Sequence, residues 1–407
     1  MKPMKKNYFK LACAGIAISA MVLPNVKVSA QGCVAVRYMA AGCVNNTALE
    51  PGQWSLNIGY RYLHSYKHFK KDVEQQLRTD LYKDNVINVA NSADFTLTRT
   101  ISKKLSIGFS IPVSHTVRTS KYEHEGTTKV LNADKTENMN ATYDFNQGRH
   151  ETSSRGIGDM RIVANFRLSN PDSLMSEDLV LGIGVKLPTG DYNVQGVFYK
   201  SPTTTLIKAV DQSIQLGDGG LGVVLELSTY KQLKGHLFGY GNGFYLLNPR
   251  NTNGVGTGAL AGGQPSAAQI ADNLKYGNVS EMSVADQYMV RFGLNYASLF
   301  THNLSATLGV RMEGIPRWDL LGKSDGFRRP GYVVSAEPGL NYNFGKHSLG
   351  ANVPVAMYRN RIKSMMDLKK PDPTTTTVYP GSFSALATTG DAAFADYLIM
   401  LTYGYRF

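Results

Sequence analysis

Alternation constrains this chain more than any other feature. The stretch ADYLIMLTYGYRF at its end places Tyr397, Ile399, Leu401, Tyr403, Tyr405 and Phe407 on one face of an extended strand, and Asp396, Leu398, Met400, Thr402, Gly404 and Arg406 on the other. Successive side chains of a strand point to opposite faces, so one face is apolar throughout and aromatic at both ends while the other mixes charge with small residues. A strand needs that asymmetry where lipid lies on one side and a polar interior on the other. Ending on an aromatic strand residue also contrasts with the usual fraying of a terminus into solvent.

The same period recurs along the chain, in WSLNIGYRYL, ADFTLTR, LSIGFSIPV, DMRIVANFRL, LVLGIGVKL, LGVVLELSTY, LFGYGNGFYLL, YMVRFGLNY, LSATLGVRME, YVVSAEPGLNY and LGANVPVAMY. In LFGYGNGFYLL the reading puts Phe238, Tyr240, Phe244 and Leu246 outward and Gly239, Gly241 and Gly243 inward. With the last segment this gives about 12 strands, an even number, as single-chain bacterial barrels have. The connections alternate in length. Long ones fall near 64–90, 119–156, 189–217, 248–285, 316–330 and 360–393, and short ones near 100–104, 169–177, 231–235, 297–303 and 343–347. Short periplasmic turns and long extracellular loops are the outer-membrane pattern, and a periplasmic start puts every long connection outside. Tyr288 and Tyr296, Tyr332 and Tyr342, and Tyr397 and Tyr405 bracket their strands. Tilted strands of that length span roughly 20–25 Å, the height of an outer-membrane apolar band.

The fold class expected is therefore all-β, a transmembrane antiparallel β-barrel of about 12 strands over residues 52–407, placed in the bacterial outer membrane. Pro112, Pro338 and Pro354 fall inside strands, where the missing N–H calls for bulges or strand ends. A soluble antiparallel sandwich is the competing architecture. It would have to bring its apolar faces together, and its polar faces would not carry inward arginines.

Residues 1–30 read as a secretory signal peptide: a basic start, the apolar LACAGIAISAMVL, and Val28-Ser29-Ala30 before Gln31. An uncleaved anchor is the alternative, but the apolar run is short for a span. Removal takes Lys2, Lys5, Lys6, Lys10 and Lys27 and no acid, lowering the net charge from +12 to about +7. The charges are interspersed with no basic stripe, so no nucleic-acid partner is expected. Residues 31–51 form an N-terminal extension, mostly small and apolar, carrying Cys33 and Cys43. A local disulfide between them is expected in an oxidising compartment. Lipidation of Cys33 is the rival, though Ala30 stands where a branched apolar residue would be wanted. This extension precedes the first strand, and it is expected to enter the barrel and narrow it.

Motifs with catalytic associations fail on context. GKSDG (322–326) and GVGTGA (254–259) sit in loops without the strand–turn–helix or βαβ units that those patterns require. Ser114 and His115 are adjacent and so face opposite ways on a strand. The expectation is a non-enzyme without metal or cofactor. The richer set is inward-facing. Arg61, Arg161, Arg167, Lys186, Arg291, Arg311 and Arg406 supply positive charge, and Asp94, Asp159, Glu226, Glu313, Glu337 and Asp396 supply negative charge. Nearly balanced charges brace a water-facing wall or line a solute path. Arg61 and Asp396 are expected to meet across the seam between the first and last strands. Gly182, Gly184 and Gly222, with the three glycines of LFGYGNGFYLL, are expected to leave room inside.

SSRGIGDMRIVANFRL (153–168), LVLGIGVKLPTGDYN (179–193) and GDGGLGVVLEL (217–227) resemble an outer-membrane barrel family named for the meta-pathway of phenol degradation. Gly156 to Asp159 and Pro188-Thr189-Gly190 carry the match, which covers about residues 150–407 in outline. The resemblance implies a transporter-like barrel related in role to aromatic-compound and fatty-acid channels. Separately, the terminal aromatic strand resembles the C-terminal signal that outer-membrane proteins show to the barrel assembly machinery, which is the partner expected for it. The function expected is passive passage of a small, apolar or aromatic molecule across the outer membrane. The alternative is a structural or adhesion barrel acting through its extracellular loops.

Overall fold

The computed structural model describes residues 31–32 and 50–407, apart from 82, 122, 125–148, 175, 202–203, 258–266, 277, 279 and 370–388. Twelve antiparallel strands close into a barrel. They are β1 (Trp54–Lys70), β2 (Ile87–Ser102), β3 (Leu105–Ser120), β4 (His150–Ile157 and Arg161–Arg167), β5 (Glu177–Lys186), β6 (Gly222–Lys234), β7 (Leu237–Leu247), β8 (Gln287–Tyr296), β9 (Leu304–Ile315), β10 (Gly331–Phe344), β11 (His347–Asn352 and Val355–Asn360) and β12 (Ala392–Arg406). Each pairs with its neighbours in sequence, and β12 returns to β1. No helix among the described residues is long and apolar enough to cross a membrane. Residues 1–30, expected to be a signal peptide, and Cys33 and Cys43 lie outside the described residues.

The seam explains the aromatic end. Trp54 and Phe407 exchange both backbone hydrogen bonds at 3.0 Å, so the final residue is a rung of the ladder. Stacked rings continue around the edge that carries the short turns. Tyr342 meets Phe344 at 5.6 Å, Phe344 meets His347 at 5.0 Å, and Tyr405 meets Phe407 at 5.7 Å between centroids. Above this girdle Phe109, Ile183, Phe292, Leu308 and Leu340 are exposed on the outer surface. Such a belt is stable only against lipid.

On eleven strands the apolar face read from alternation is the outer one, and β7 is inverted. Its Tyr240, Phe244 and Leu246 are buried and face in, while Gly239, Gly241 and Gly243 face lipid. Register supplies the reason. Tyr240 stands opposite Gly293 of β8, which stands opposite Gly309 of β9. A Cβ on Gly309 would collide with the Tyr240 hydroxyl, so the Tyr240 ring covers two inner-wall glycines, filling space that they leave empty. Gly182, Gly184 and Gly222 do face in, yet Val163, Glu226 and Leu246 already crowd the space beside them. The glycine-lined room expected in the lumen does not exist.

Each broken strand is interrupted at a proline. The break in β4 lies opposite Pro112, whose carbonyl accepts the Gly158 N–H at 2.8 Å. The break in β11 holds Pro354 and faces Pro338, whose carbonyl accepts from Val353 at 3.0 Å. Proline cannot donate to a ladder, so pairing lapses there. Beyond its break β11 stays paired to β10 but meets β12 at Val355 and Tyr397 alone among the described pairings. On that free edge of β12, Gln31–Gly32 pairs with Ala395 and Phe394.

The connection between β5 and β6 folds over the outer mouth as a hairpin (Gln195–Ser201 and Thr204–Ala209) followed by a short turn. Asp211 anchors it. Arg329 donates to both of its carboxylate oxygens at 3.0 and 2.8 Å, and Arg118 at the end of β3 lies 3.5 Å away. Burial alone would raise the Asp211 pKa, but the two guanidiniums outweigh it and hold the carboxyl well below its usual range. A depressed carboxylate pKa stabilises the fold at every pH above the unfolded value, and the benefit is lost only as pH falls towards the folded value.

Two outcomes follow. Asp211→Asn should loosen the capping loop by about 3 kcal/mol, because it strands buried arginine charge. Limited proteolysis should then cut 187–221 readily at pH 7, whereas the wild type should resist from neutral pH down to about pH 4. Gly309→Val should lower the unfolding midpoint in urea, since the new side chain and the Tyr240 ring cannot share one site. Tyr240→Ala should also destabilise, by about 3 kcal/mol, through the void that it opens.

Candidate transport lumen

Two cavities lie inside the barrel. The inner one, of about 260 Å³, opens towards the short turns and is lined mainly by hydroxyl and amide side chains such as Ser55, Thr96, Thr98, Ser106 and Thr402. The outer one, of about 140 Å³, lies under the capping loop and is bordered by Leu63, Ala90, Leu216, Phe244, Leu246 and Ile315 among others. Two apolar clusters surround this outer half. Leu63, Val333, Ala395, Leu398 and Met400 belong to one, by the β12 seam. Val163, Val224, Phe244, Leu246 and Met289 form the other, on β4 and β6 to β8. Inward apolar clusters of this size were not foreseen, because Phe244 and Leu246 had been assigned to lipid and Leu398 and Met400 to a polar face.

The charged residues expected inside fall into three groups. The first is a fused belt on β8 to β10. Arg291 pairs with Glu337 at 3.1 Å, their side chains 3% and 0% exposed, and Arg311 pairs with Glu313 at 2.9 Å. Asn242 accepts from Arg291 at 2.9 Å and Asn352 donates to Glu337 at 3.1 Å, so this side of the lumen is closed by a hydrogen-bonded network. Charges so deeply buried must be paired and hydrogen-bonded.

The second group faces it from β1, β2 and β4. Arg161 lies 3.6 Å from Asp94, and Arg61 donates from Nε to Ser92 at 3.3 Å. The third group is peripheral. Asp159 accepts the backbone N–H groups of Gly190 and Asp218 at 3.0 and 3.2 Å, and Lys186 pairs with Asp159 at 3.6 Å and with Asp218. The three segments that carry the family resemblance therefore meet in one structural knot at the outer end of β4 to β6. Arg167 pairs with Asp178 at 3.1 Å, while Glu226 and Arg406 border the inner cavity.

The expected Arg61–Asp396 contact does not form. Register sets Arg61 opposite Met400, and Asp396 instead meets Lys67 at 3.2 Å and the Tyr66 hydroxyl at 2.7 Å. The regular register that starts at Trp54 and Phe407 already sets Arg61 four residues along from Asp396, which residue counting along one strand cannot reveal. Ser324 of GKSDG is a buried turn residue whose Oγ accepts the Asp319 N–H at 2.8 Å, as a loop lock does.

No family model matches the sequence, and no curated protein does. Among solved structures, the COG4313 outer membrane channel from Pseudomonas putida F1 matches with a TM-score of 0.52 at 12% identity, covering 90% of this chain and 100% of that one. The CymD monoaromatic hydrocarbon channel matches at 0.39 and 11% identity, covering 94% and 99%. The Ralstonia pickettii toluene transporter TbuX matches at 0.38 and 9%, covering 90% and 93%. At these identities the likeness is one of fold, and it is carried by the first of the three. The name of the phenol meta-pathway family is not confirmed. With its lipid-facing belt, aromatic girdle and closed ladder, the chain is an antiparallel barrel of the bacterial outer membrane, built on the fold of an outer-membrane channel.

Proposed function

We propose that this barrel passes a small apolar or aromatic molecule across the outer membrane. The observation that carries the reading is the apolar surface that Leu63, Leu216, Phe244, Leu246 and Ile315 present to the outer cavity, backed by the buried clusters behind it. A channel for hydrophilic solutes keeps a polar interior, and burying these side chains against water serves it nothing. An apolar solute gains about 25 cal/mol per Å² by resting on such a surface. The polar inner cavity and the charged mid-lumen belt offer it no comparable surface. The lapse of pairing between β11 and β12 lies beside the seam cluster, with Gln31–Gly32 on the β12 edge, and displacement of that segment would give a solute an apolar way from lumen to lipid. The solved channels of hydrocarbon type named above bear on this reading only as relatives in fold. The alternative, a barrel acting through its loops, draws on their length alone.

The N-terminal extension belongs to the same proposal. Residues 33–49 lie outside the described residues, but Gln31–Gly32 is paired to β12 beside the lapse, which supports a gating role for residues 31–51.

Vesicles holding the purified barrel should take up radiolabelled toluene faster than empty vesicles and should swell slowly in stachyose. Phe244→Asp or Leu246→Asp should cut toluene uptake about tenfold, as an unpaired charge in an apolar site would. Equal toluene entry with and without the protein would overturn the reading. Deleting residues 31–50 behind an intact leader should raise the swelling rate in small sugars. An unchanged rate in a correctly assembled variant would remove the extension from the gate.

A further inference from the structure

The lumen is divided at mid-height, and the division is unequal around its circumference. On the β8 to β10 side the belt of Arg291, Glu337, Arg311 and Glu313 is fully packed. Its members hold one another at 2.9 to 3.1 Å, and two asparagines tie them down. On the opposite side stand Asp94 and Arg161, and among the described residues only these two border both cavities. Their contact is looser: at 3.6 Å the ion pair is longer than either pair of the belt and beyond hydrogen-bond distance.

The placement of the two groups has a cause in the wall. Arg161 is the first residue of β4 after the break opposite Pro112, and Asp94 pairs with that same proline across β2 and β3. The lapse in β4 thus aims a cation from one strand at an anion two strands away. Arg61 stands nearby on β1, its Nε donating to Ser92, on the next residue pair along from Asp94.

We infer that Asp94 and Arg161 form the ionic neck of the lumen and set which small ions and polar solutes cross from the outer cavity to the inner one. The deduction deepens the channel reading and rests on it. Closed, the pair presents both signs to the path, so an ion of either charge meets a repelling partner and a compensating one. Removing Asp94 leaves Arg161 and Arg61 beside the path, and removing Arg161 leaves Asp94 with Arg61 beside it, so the two changes move the balance of sign in opposite directions. In a weakly hydrated passage one fixed charge is enough to select counter-ions.

The test is reversal potential and conductance in planar bilayers under a potassium chloride gradient. Asp94→Asn should raise conductance and shift the reversal potential towards that of chloride. Arg161→Gln should raise conductance and shift it towards that of potassium. The double reversal, Asp94→Arg with Arg161→Asp, should return both readings towards the wild type. Ser92→Lys sets a competing cation beside the pair while keeping both members, and it should shift selectivity as Asp94→Asn does. Lys231→Gln, on the outer surface, should change neither reading. Heat-modifiable migration on gels identifies the assembled variants. Assembled variants that share the wild-type conductance and reversal potential, or single variants that shift the same way, would overturn the neck. Toluene uptake measured on the same preparations separates the two readings. Uptake that persists without a selectivity response defeats the neck alone, and a selectivity response without uptake defeats the apolar-solute reading alone.

Discussion

Everything in this molecule depends on the backbone ladder between β1 and β12. In hydrocarbon no water exists to satisfy an open strand edge, and each orphaned N–H or C=O costs several kcal/mol. An unpaired β12 could not stay in the membrane. The two bonds between Trp54 and Phe407 start the seam at the inner rim, and the register runs from there to Phe69 and Ala392. Once the ring closes, alternation along a strand becomes the distinction between lipid and lumen. The girdle of Tyr342, Phe344, His347 and Tyr405 then fixes the height of the barrel in the bilayer, because amphipathic rings settle at the interface.

The same closure forces charge inward, and the interior answers as a protein core would. Arg291, Arg311, Glu313 and Glu337 are nearly withdrawn from water and pair with one another. Buried ion pairs of this kind contribute little net stability, but loss of one partner is costly. Their structural effect is to close the β8 to β10 side of the lumen at mid-height. What remains open is asymmetric: a hydroxyl-lined inner cavity, an outer cavity where Leu63, Leu216, Phe244, Leu246 and Ile315 stand among polar and charged side chains, and the Asp94–Arg161 pair between them.

Three prolines shape the wall around these features. By withholding a donor, Pro112 breaks β4 and sends Arg161 into the lumen, while Pro338 and Pro354 break β11 and part it from β12. A regular ladder would have produced a smoother and more uniform tube. The sites of interest are the places where regularity fails, and each failure has a specific residue behind it.

How much of this could be read without coordinates divides along a physical line. Strand number and outward face were legible, because period-two alternation is a local property that survives in the sequence. Eleven strands kept their faces. β7 did not, because both of its faces carry large apolar side chains and only the opposing Gly293 and Gly309 decide where Tyr240 points. Residue types in the lumen were likewise legible, and their partners were not. Asp94 was foreseen as inward, but its pairing with Arg161 depends on the stagger of three strands. Asp396 found Lys67 rather than Arg61 because the register set by the Trp54–Phe407 rung places Arg61 opposite Met400. The sequence by itself determined that the chain would close into a membrane barrel with charge inside. Tertiary structure decided which charges meet, which half of the lumen is apolar and where the wall parts, since those follow from register between strands and not from order along one.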